Sequence, residues 1–263
     1  MEKFRTHDEM RQVYTEIEQL PDRGHPYVIA SHEPDSYFGF IGTSHTTDPA
    51  HPQWAVLQEE WRLFVDSTNL DKIVFFEGRS SVPVTDSEED AIVQGADSGY
   101  TRWLAEKNGI EAVSPEPDRQ AEIDELVESG ISEDDIIIYY ISRQLAQWHR
   151  YDKVTDPDIQ AYAERCVSYT AKLEWSKEYD LVEYRRIFQA TYAVDPLVAG
   201  RRLLSDVSDP SINPVSSASS DIRDRSIFKA VSEAKKAGKD VFTVYGSGHA
   251  IVMEHALREL IAA

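Results

Sequence analysis

One pattern limits the folds open to this chain more than any other. A strand-length apolar run, a turn with the spacing Gly-x-x-His and then a helix occur in that order twice. The first copy is Gly42-Thr43-Ser44-His45, which follows Tyr37-Phe38-Gly39-Phe40-Ile41. The second is Gly246-Ser247-Gly248-His249, which follows Val241-Phe242-Thr243-Val244-Tyr245. Glycine lets the chain turn sharply off a buried strand. The small residues after it let a substrate or ion approach the backbone, and the helix start offers free N–H groups to anionic ligands or developing negative charge. Each imidazole is thereby expected at the carboxyl edge of a sheet, where open α/β folds hold their ligands. Two such histidines, about 200 residues apart, can face one pocket. The simpler alternative is that each caps its helix or lies on the surface.

The chain between the motifs alternates strand and helix. Residues 8–19 are helix-prone and are followed by Pro21 and Gly24. Tyr27–Ala30 and Tyr37–Ile41, separated by the turn residues Glu33-Pro34-Asp35-Ser36, read as an edge hairpin. Trp54, Leu57, Trp61, Phe64 and Val65 share one face of a helix over residues 52–66. Ile73-Val74-Phe75-Phe76 is a continuous apolar run that suits a central parallel strand. A helix containing Tyr100, Trp103 and Leu104 ends at Asn108-Gly109, a short strand follows at 110–113, and residues 118–128 are helical. Ser132 and Asp135 open a helix at about 133–150. Residues 156–204 contain no strand-like run and read as two or three helices. Residues 205–220, rich in Ser, Asp and Pro, read as a long loop, with a helix starting at Asp221-Ile222-Arg223-Asp224 and closing at Gly238. The predicted fold is α/β: a mostly parallel central sheet with an edge hairpin, flanked by helices. It forms one domain over 1–263, with a helical insertion or cap at 133–204.

Charge narrows the partners. Hydrophobic residues at 41% and charged residues at 28% are ordinary, but the net charge of −20 is not. It argues against nucleic acid, whose binding draws on basic residues, and against anionic lipid. Cys166 is the lone cysteine, so there is no intrachain disulfide and no thiolate cluster. No signal peptide or membrane-length apolar run is visible, so a cytoplasmic location without a membrane partner is expected. Oligomeric state is not legible.

Further candidates stand near the same edge. Glu77 ends a buried strand, where a carboxylate can bind metal, act as a base or orient a histidine; the alternative is an ion pair with Arg79. Glu116 lies between Pro115 and Pro117 after the next strand. Arg223 is placed at a helix start, which the helix dipole does not favour, so a role in gripping an oxyanion suggests itself. His25, His32 and His51 read as surface or capping residues, with His32 the one a hairpin can bring toward the site. Ser44 and Ser247 lack a Gly-x-Ser-x-Gly elbow, and Gly246-Ser247-Gly248 is no dinucleotide fingerprint.

Taken in order, strand-Gly-Thr-Ser-His, strand-Glu77-Gly-Arg, Arg223-Asp224 and strand-Tyr-Gly-Ser-Gly-His resemble the Tiki/TraB superfamily, which includes erythromycin-esterase-like and ChaN-like proteins. The resemblance runs from about residue 37 to 260 but rests on these four short motifs. It implies that His45 and His249 are the family's two histidines, Glu77 its acidic residue, and Arg223 the arginine of its Arg-Asn or Arg-Asp pair, with Asp224 in the second place. It also implies hydrolysis: metal-dependent peptide cleavage in Tiki proteins and lactone hydrolysis in erythromycin esterases. Tiki proteins are membrane-anchored, and this chain shows neither anchor nor signal, so its substrate need not be theirs.

The expected function is therefore a hydrolase acting on an ester, lactone or peptide bond in a small-molecule or peptide substrate. His45, Glu77 and His249 would hold a divalent ion (Zn, Mn or Co) or position water directly. Without metal a histidine would be the base, oriented by Glu77 or Glu116; Arg223 would stabilise the oxyanion and the 205–220 loop would act as a lid. The alternative is a non-catalytic binder of a ligand, peptide or haem in the same pocket, lined by Tyr151, Tyr162, Tyr169, Tyr179, Tyr184 and Tyr192. Helix packing is the plainer use of those tyrosines.

Overall fold

The computed structural model describes residues 4–17, 19, 25–78, 85–149, 156 and 158–263. The chain divides into two compact units, Met1–Glu116 with Asp224–Ala263, and Pro117–Arg223. The first contains α1 (His7–Ile17), β1 (Tyr27–Glu33), β2 (Ser36–Thr43), α2 (Gln53–Asp66), β3 (Lys72–Phe76), α3 (Glu88–Lys107) and β4 (Ala112–Val113). The second holds α4 (Arg119–Glu128), α5 (Glu133–Trp148), α6 (Ile159–Thr170), α7 (Leu181–Tyr192) and α8 (Arg201–Ser208). Helix α9 (Pro214–Lys236) starts in the second unit and ends in the first, where β5 (Asp240–Gly246) and α10 (Ser247–Ala262) complete the chain.

The sheet runs β1-β2-β5-β3-β4, with every pair parallel except the antiparallel β1–β2 hairpin. This is the α/β architecture expected from the pattern of apolar runs. Its centre is β5, all seven residues of which are buried. Period two divides that strand between two cores. Val241 and Tyr245 pack with Phe38, Phe40, Ile227, Val231, Met253 and Leu257. Phe242 and Val244 pack on the other side with Tyr37, Ile41, Trp54, Leu57, Trp61 and Phe64. Phe242 lies 5.0 Å from the Trp61 ring and 5.4 Å from that of Phe64. Truncating such a residue costs about 3–5 kcal/mol.

Register places the chemistry. Gly42 pairs with Tyr245 and Thr43 with Gly246, so the two Gly-x-x-His turns leave the same sheet edge on adjacent strands. Their glycines are needed by each other's motif. A Cβ on Gly246 would stand 2.5 Å from His45 Nε2, and one on Gly42 would stand 2.8 Å from Ser247 Cα. His32 pairs with Tyr37, at the opposite end of β2 from Thr43, so the hairpin carries it away from the turns.

In the helical unit α5 is buried along most of its first half because it meets apolar neighbours all round. Ile137, Ile138, Ile141 and Leu145 pack with residues of α6, α7 and α8, while Ile136, Tyr139 and Tyr140 pack with α4 and the start of α9. Ser132 caps α5 by accepting from Asp135 N–H at 3.2 Å. Tyr162, Tyr179 and Tyr184 are core residues, Tyr169 is exposed, and Tyr151 lies outside the described residues, as do Pro21, Gly24 and Arg79.

The expected loop at 205–220 is wrong. Helix α8 continues to Ser208 and α9 begins at Pro214, leaving only 209–213 between them. Asn213 Oδ1 accepts from Val215 N–H at 2.8 Å, and Pro214 suits a first helical position. The serines that look loop-forming are satisfied inside the fold: Ser216 Oγ donates to Ser208 O at 2.7 Å and Ser219 Oγ to Glu122 at 2.6 Å. Arg223 and Asp224 consequently lie well inside α9 rather than at a helix start, and the dipole argument for Arg223 fails. No described helix is long and apolar enough to cross a membrane.

Candidate functional site

The sheet edge brings His45, Glu77 and His249 together. Glu77 N–H donates to Val244 O at 3.1 Å, extending the β3–β5 pairing by one residue and aiming the side chain across the end of β5. Its Oε2 accepts from Gly246 N–H at 2.6 Å and lies 3.3 Å from His45 Nε2. Its Oε1 lies 3.7 Å from His249 Nε2. One carboxylate thus faces both imidazoles, at the N-terminal end of α10, where the helix dipole favours an anion.

The far nitrogen of each ring is held by a buried aspartate. His45 Nδ1 is 3.0 Å from both oxygens of Asp97, and His249 Nδ1 is 2.5 Å from Asp224 Oδ1. The aspartate side chains are each only 2% exposed. Buried carboxylates need such partners to remain charged. Asp97 has a second, the Thr43 hydroxyl, which donates at 2.5 Å. Asp97 follows Ala96, whose φ of 47° kinks α3 and turns the aspartate inward. The two histidines differ in setting. His45 occupies the left-handed region with φ 53° and its side chain is 44% exposed, whereas the His249 side chain, in the first turn of α10, is 12% exposed. The Tyr245 ring meets the His249 imidazole edge-on at 5.5 Å.

Other groups hold the frame. Ser44 N–H and Oγ both reach Gln53 Oε1, at 3.1 and 2.9 Å, fixing the first turn to α2. Ser98 Oγ donates to Glu77 O at 2.7 Å. Gly78 turns the chain with φ 84°, and its N–H donates to Glu116 Oε1 at 3.0 Å. Glu116 therefore braces the turn after Glu77. His51 caps α2, accepting from Gln53 N–H at 3.2 Å. Tyr14 on α1 shares a 2.6 Å hydrogen bond with Ser247 Oγ. Burial raises the Tyr14 pKa; the Ser247 hydrogen bond opposes this and the Glu77 charge adds to it.

Arg223 belongs to the helical unit, where it is buried and acts on Tyr139. Burial alone would raise the Tyr139 pKa, but Arg143, a hydrogen bond with Ser219 and Arg223 outweigh it and hold the hydroxyl below its ordinary value.

Sequence reasoning missed Asp97, Thr43, Tyr14 and the orienting role of Asp224. The one visible signal for Asp97 was an aspartate in Gly95-Ala96-Asp97-Ser98-Gly99, a small-residue run inside a helix. Thr43 and Asp224 stood inside the motifs, but their roles behind the histidines depend on partners distant in sequence (Asp97 and His249), and Tyr14 had no signal.

His45, Glu77 and Asp97 offer ligand atoms within 4.8 Å of one another, a group that could hold a metal ion. Both Asp97 oxygens are engaged by His45 Nδ1, and one also by Thr43, which suits Asp97 to a place behind the histidine. Compared with protein-family models, curated proteins and solved structures, the chain gives no match.

Proposed function

We propose that the twin-motif site is a hydrolytic centre of the Tiki/TraB type, built around a divalent ion held by His45 Nε2, His249 Nε2 and Glu77. The observation that carries this reading is that each imidazole stands between two carboxylates, its own aspartate and the shared Glu77. A neutral imidazole that donates Nδ1–H to aspartate presents its Nε2 lone pair to Glu77, a repulsive pairing. Two positive charges relieve it, supplied either by two protons on the rings or by one divalent cation. Two imidazoles and a carboxylate suit Zn, Mn or Co.

Such an ion would supply Lewis acidity, lowering the pKa of water at this edge toward neutrality. The protein's own groups do the positioning. Asp97 and Asp224 select the Nδ1–H tautomer and fix the ring planes, as carboxylates behind ligating histidines do. Gly246 leaves room for His45 and its N–H orients Glu77. The bond cleaved would be an ester, lactone or peptide bond in a small-molecule or peptide substrate.

The test is elemental analysis of the purified protein beside its His45→Ala and His249→Ala variants, with an ester, lactone and peptide panel assayed with and without chelator. Stoichiometric metal that disappears in both variants, and turnover that chelator abolishes, is the expected result. Full activity in both variants overturns the proposal.

A further inference from the structure

The helical unit contains a cavity of about 690 Å³ that none of the chemistry above uses. Its walls come from the start of α5, the end of α7, α8 and the 209–213 turn with the first residues of α9. That size is typical of small-molecule sites. Ile138, Leu203, Val207 and Val215 make an apolar wall, and Ile212 on the same turn is a large apolar residue left 55% exposed. Two acidic residues, Asp135 and Asp206, line the same cavity, the latter on α8 beside Leu203 and Val207, and no described lining residue is basic.

The carboxylates are not equivalent. Asp135 accepts from the Ser132 hydroxyl at 2.6 Å as part of the α5 cap. The Asp206 carboxylate has no hydrogen bond or ion pair among the described residues. Most other acidic groups of the helical unit are engaged, Asp134 with Lys177, Glu183 with Arg186 and Asp195 with Arg185. Tyr192 adds a hydroxyl to the lining, with its pKa raised by burial and by the charge of Asp135. A hard metal ion asks for six or more oxygens and is poorly served by two carboxylates against an apolar wall. An anion meets only like charge. A cation that also carries apolar surface satisfies both halves of the lining.

We infer that this cavity binds a small organic cation, an amine with an apolar body, its ammonium on Asp206 and its hydrocarbon against Leu203 and Val207. This is independent of the hydrolytic reading, since the lining shares no residue with the twin-motif site. It also gives a use to the 209–213 turn, the part of the expected lid that remains outside helix.

The experiment is calorimetric titration of the full chain at low salt with hexylammonium, hexan-1-ol and hexanoate. Hexylammonium is expected to bind roughly tenfold more tightly than hexanol, as one charge-assisted contact provides, and hexanoate more weakly than either. Asp206→Asn, nearly isosteric, should bring hexylammonium down to the hexanol value. Leu203→Trp, which fills the cavity, should abolish both while leaving the far-ultraviolet circular dichroism and the cooperative unfolding of the chain unchanged. No hexylammonium binding at millimolar concentration, hexanol binding equally well, or hexylammonium binding indifferent to both substitutions would each overturn the inference.

Discussion

The two Gly-x-x-His segments share their spacing and little else. After the first the chain stays irregular, and His45 is a half-exposed loop residue in the left-handed region. After the second the helix begins at once, and His249 is largely buried in its first turn. The aspartate behind His45 comes from a kinked helix; the one behind His249 comes from the middle of a long one. Both rings nonetheless arrive with Nδ1 on an aspartate and Nε2 on Glu77. A motif of this kind therefore specifies where a side chain leaves the sheet. The local backbone after it is free to vary, provided the outer nitrogens converge.

Glu77 is the element the two halves share, and its loss should have the largest effect. Glu77→Ala is expected to remove stoichiometric metal altogether, read by elemental analysis, whereas a site built on either histidine alone would retain some. The histidines should then separate by stability. His249→Ala leaves Asp224 buried without its partner, at a cost of roughly 3–5 kcal/mol, while His45→Ala removes a half-exposed ring and leaves Asp97 its Thr43 hydroxyl, costing about 1 kcal/mol. Denaturant unfolding of the two variants checks the order; equal losses would show that the two settings are energetically alike.

The helices after the motifs differ as well. Helix α10 is anchored by Glu254, which meets Arg5 at 2.6 Å and accepts from Tyr27 at 2.8 Å and Arg258 at 2.8 Å. On α2, Arg62 pairs with Glu59 and Asp66 at the exposed surface. Burial alone would raise the Glu254 pKa, yet hydrogen bonds from Arg258, Tyr27 and Arg5 outweigh it and hold the group at about 2. A depressed carboxylate contributes stability that is complete above its unfolded pKa near 4.5 and disappears as pH falls toward 2. The contribution is on the order of 3 kcal/mol. Glu254→Gln should therefore destabilise the protein at pH 7, and the gap from wild type should narrow in denaturant melts below pH 4.5. The exposed α2 pairs should show little such dependence.

The aspartates should act on metal affinity more than on folding. Asp97→Asn and Asp224→Asn keep shape but lose charge and tautomer control, and each should weaken metal affinity about 10–100-fold. A competitive chelator titration measures this. An effect confined to one aspartate would mean that only one half of the site ligates.

Much of the fold was legible because burial leaves a period in the sequence. The apolar runs at 37–41, 73–76 and 241–245 fall within strands, and Trp54, Leu57, Trp61 and Phe64 form the buried face of a helix. The 205–220 segment misled because serine and aspartate favour loops only while their hydroxyls and carboxylates seek local backbone partners. Here Ser216 and Ser219 find theirs eight and 97 residues away, and the helix forms. Arg223 was misplaced by the same error, since its supposed helix start is interior to α9.

By itself the sequence determined that two strand–turn–helix units would present histidines at a sheet edge, because glycine and apolar periodicity act over a few residues. Only the tertiary structure decided that β2 and β5 lie side by side, that Glu77 faces both rings, and that Asp97 and Asp224 stand behind them. Those facts depend on strand order and on contacts between residues up to about 200 positions apart. Local propensity carries no record of such contacts, because the free energy that selects them comes from burying the whole sheet at once.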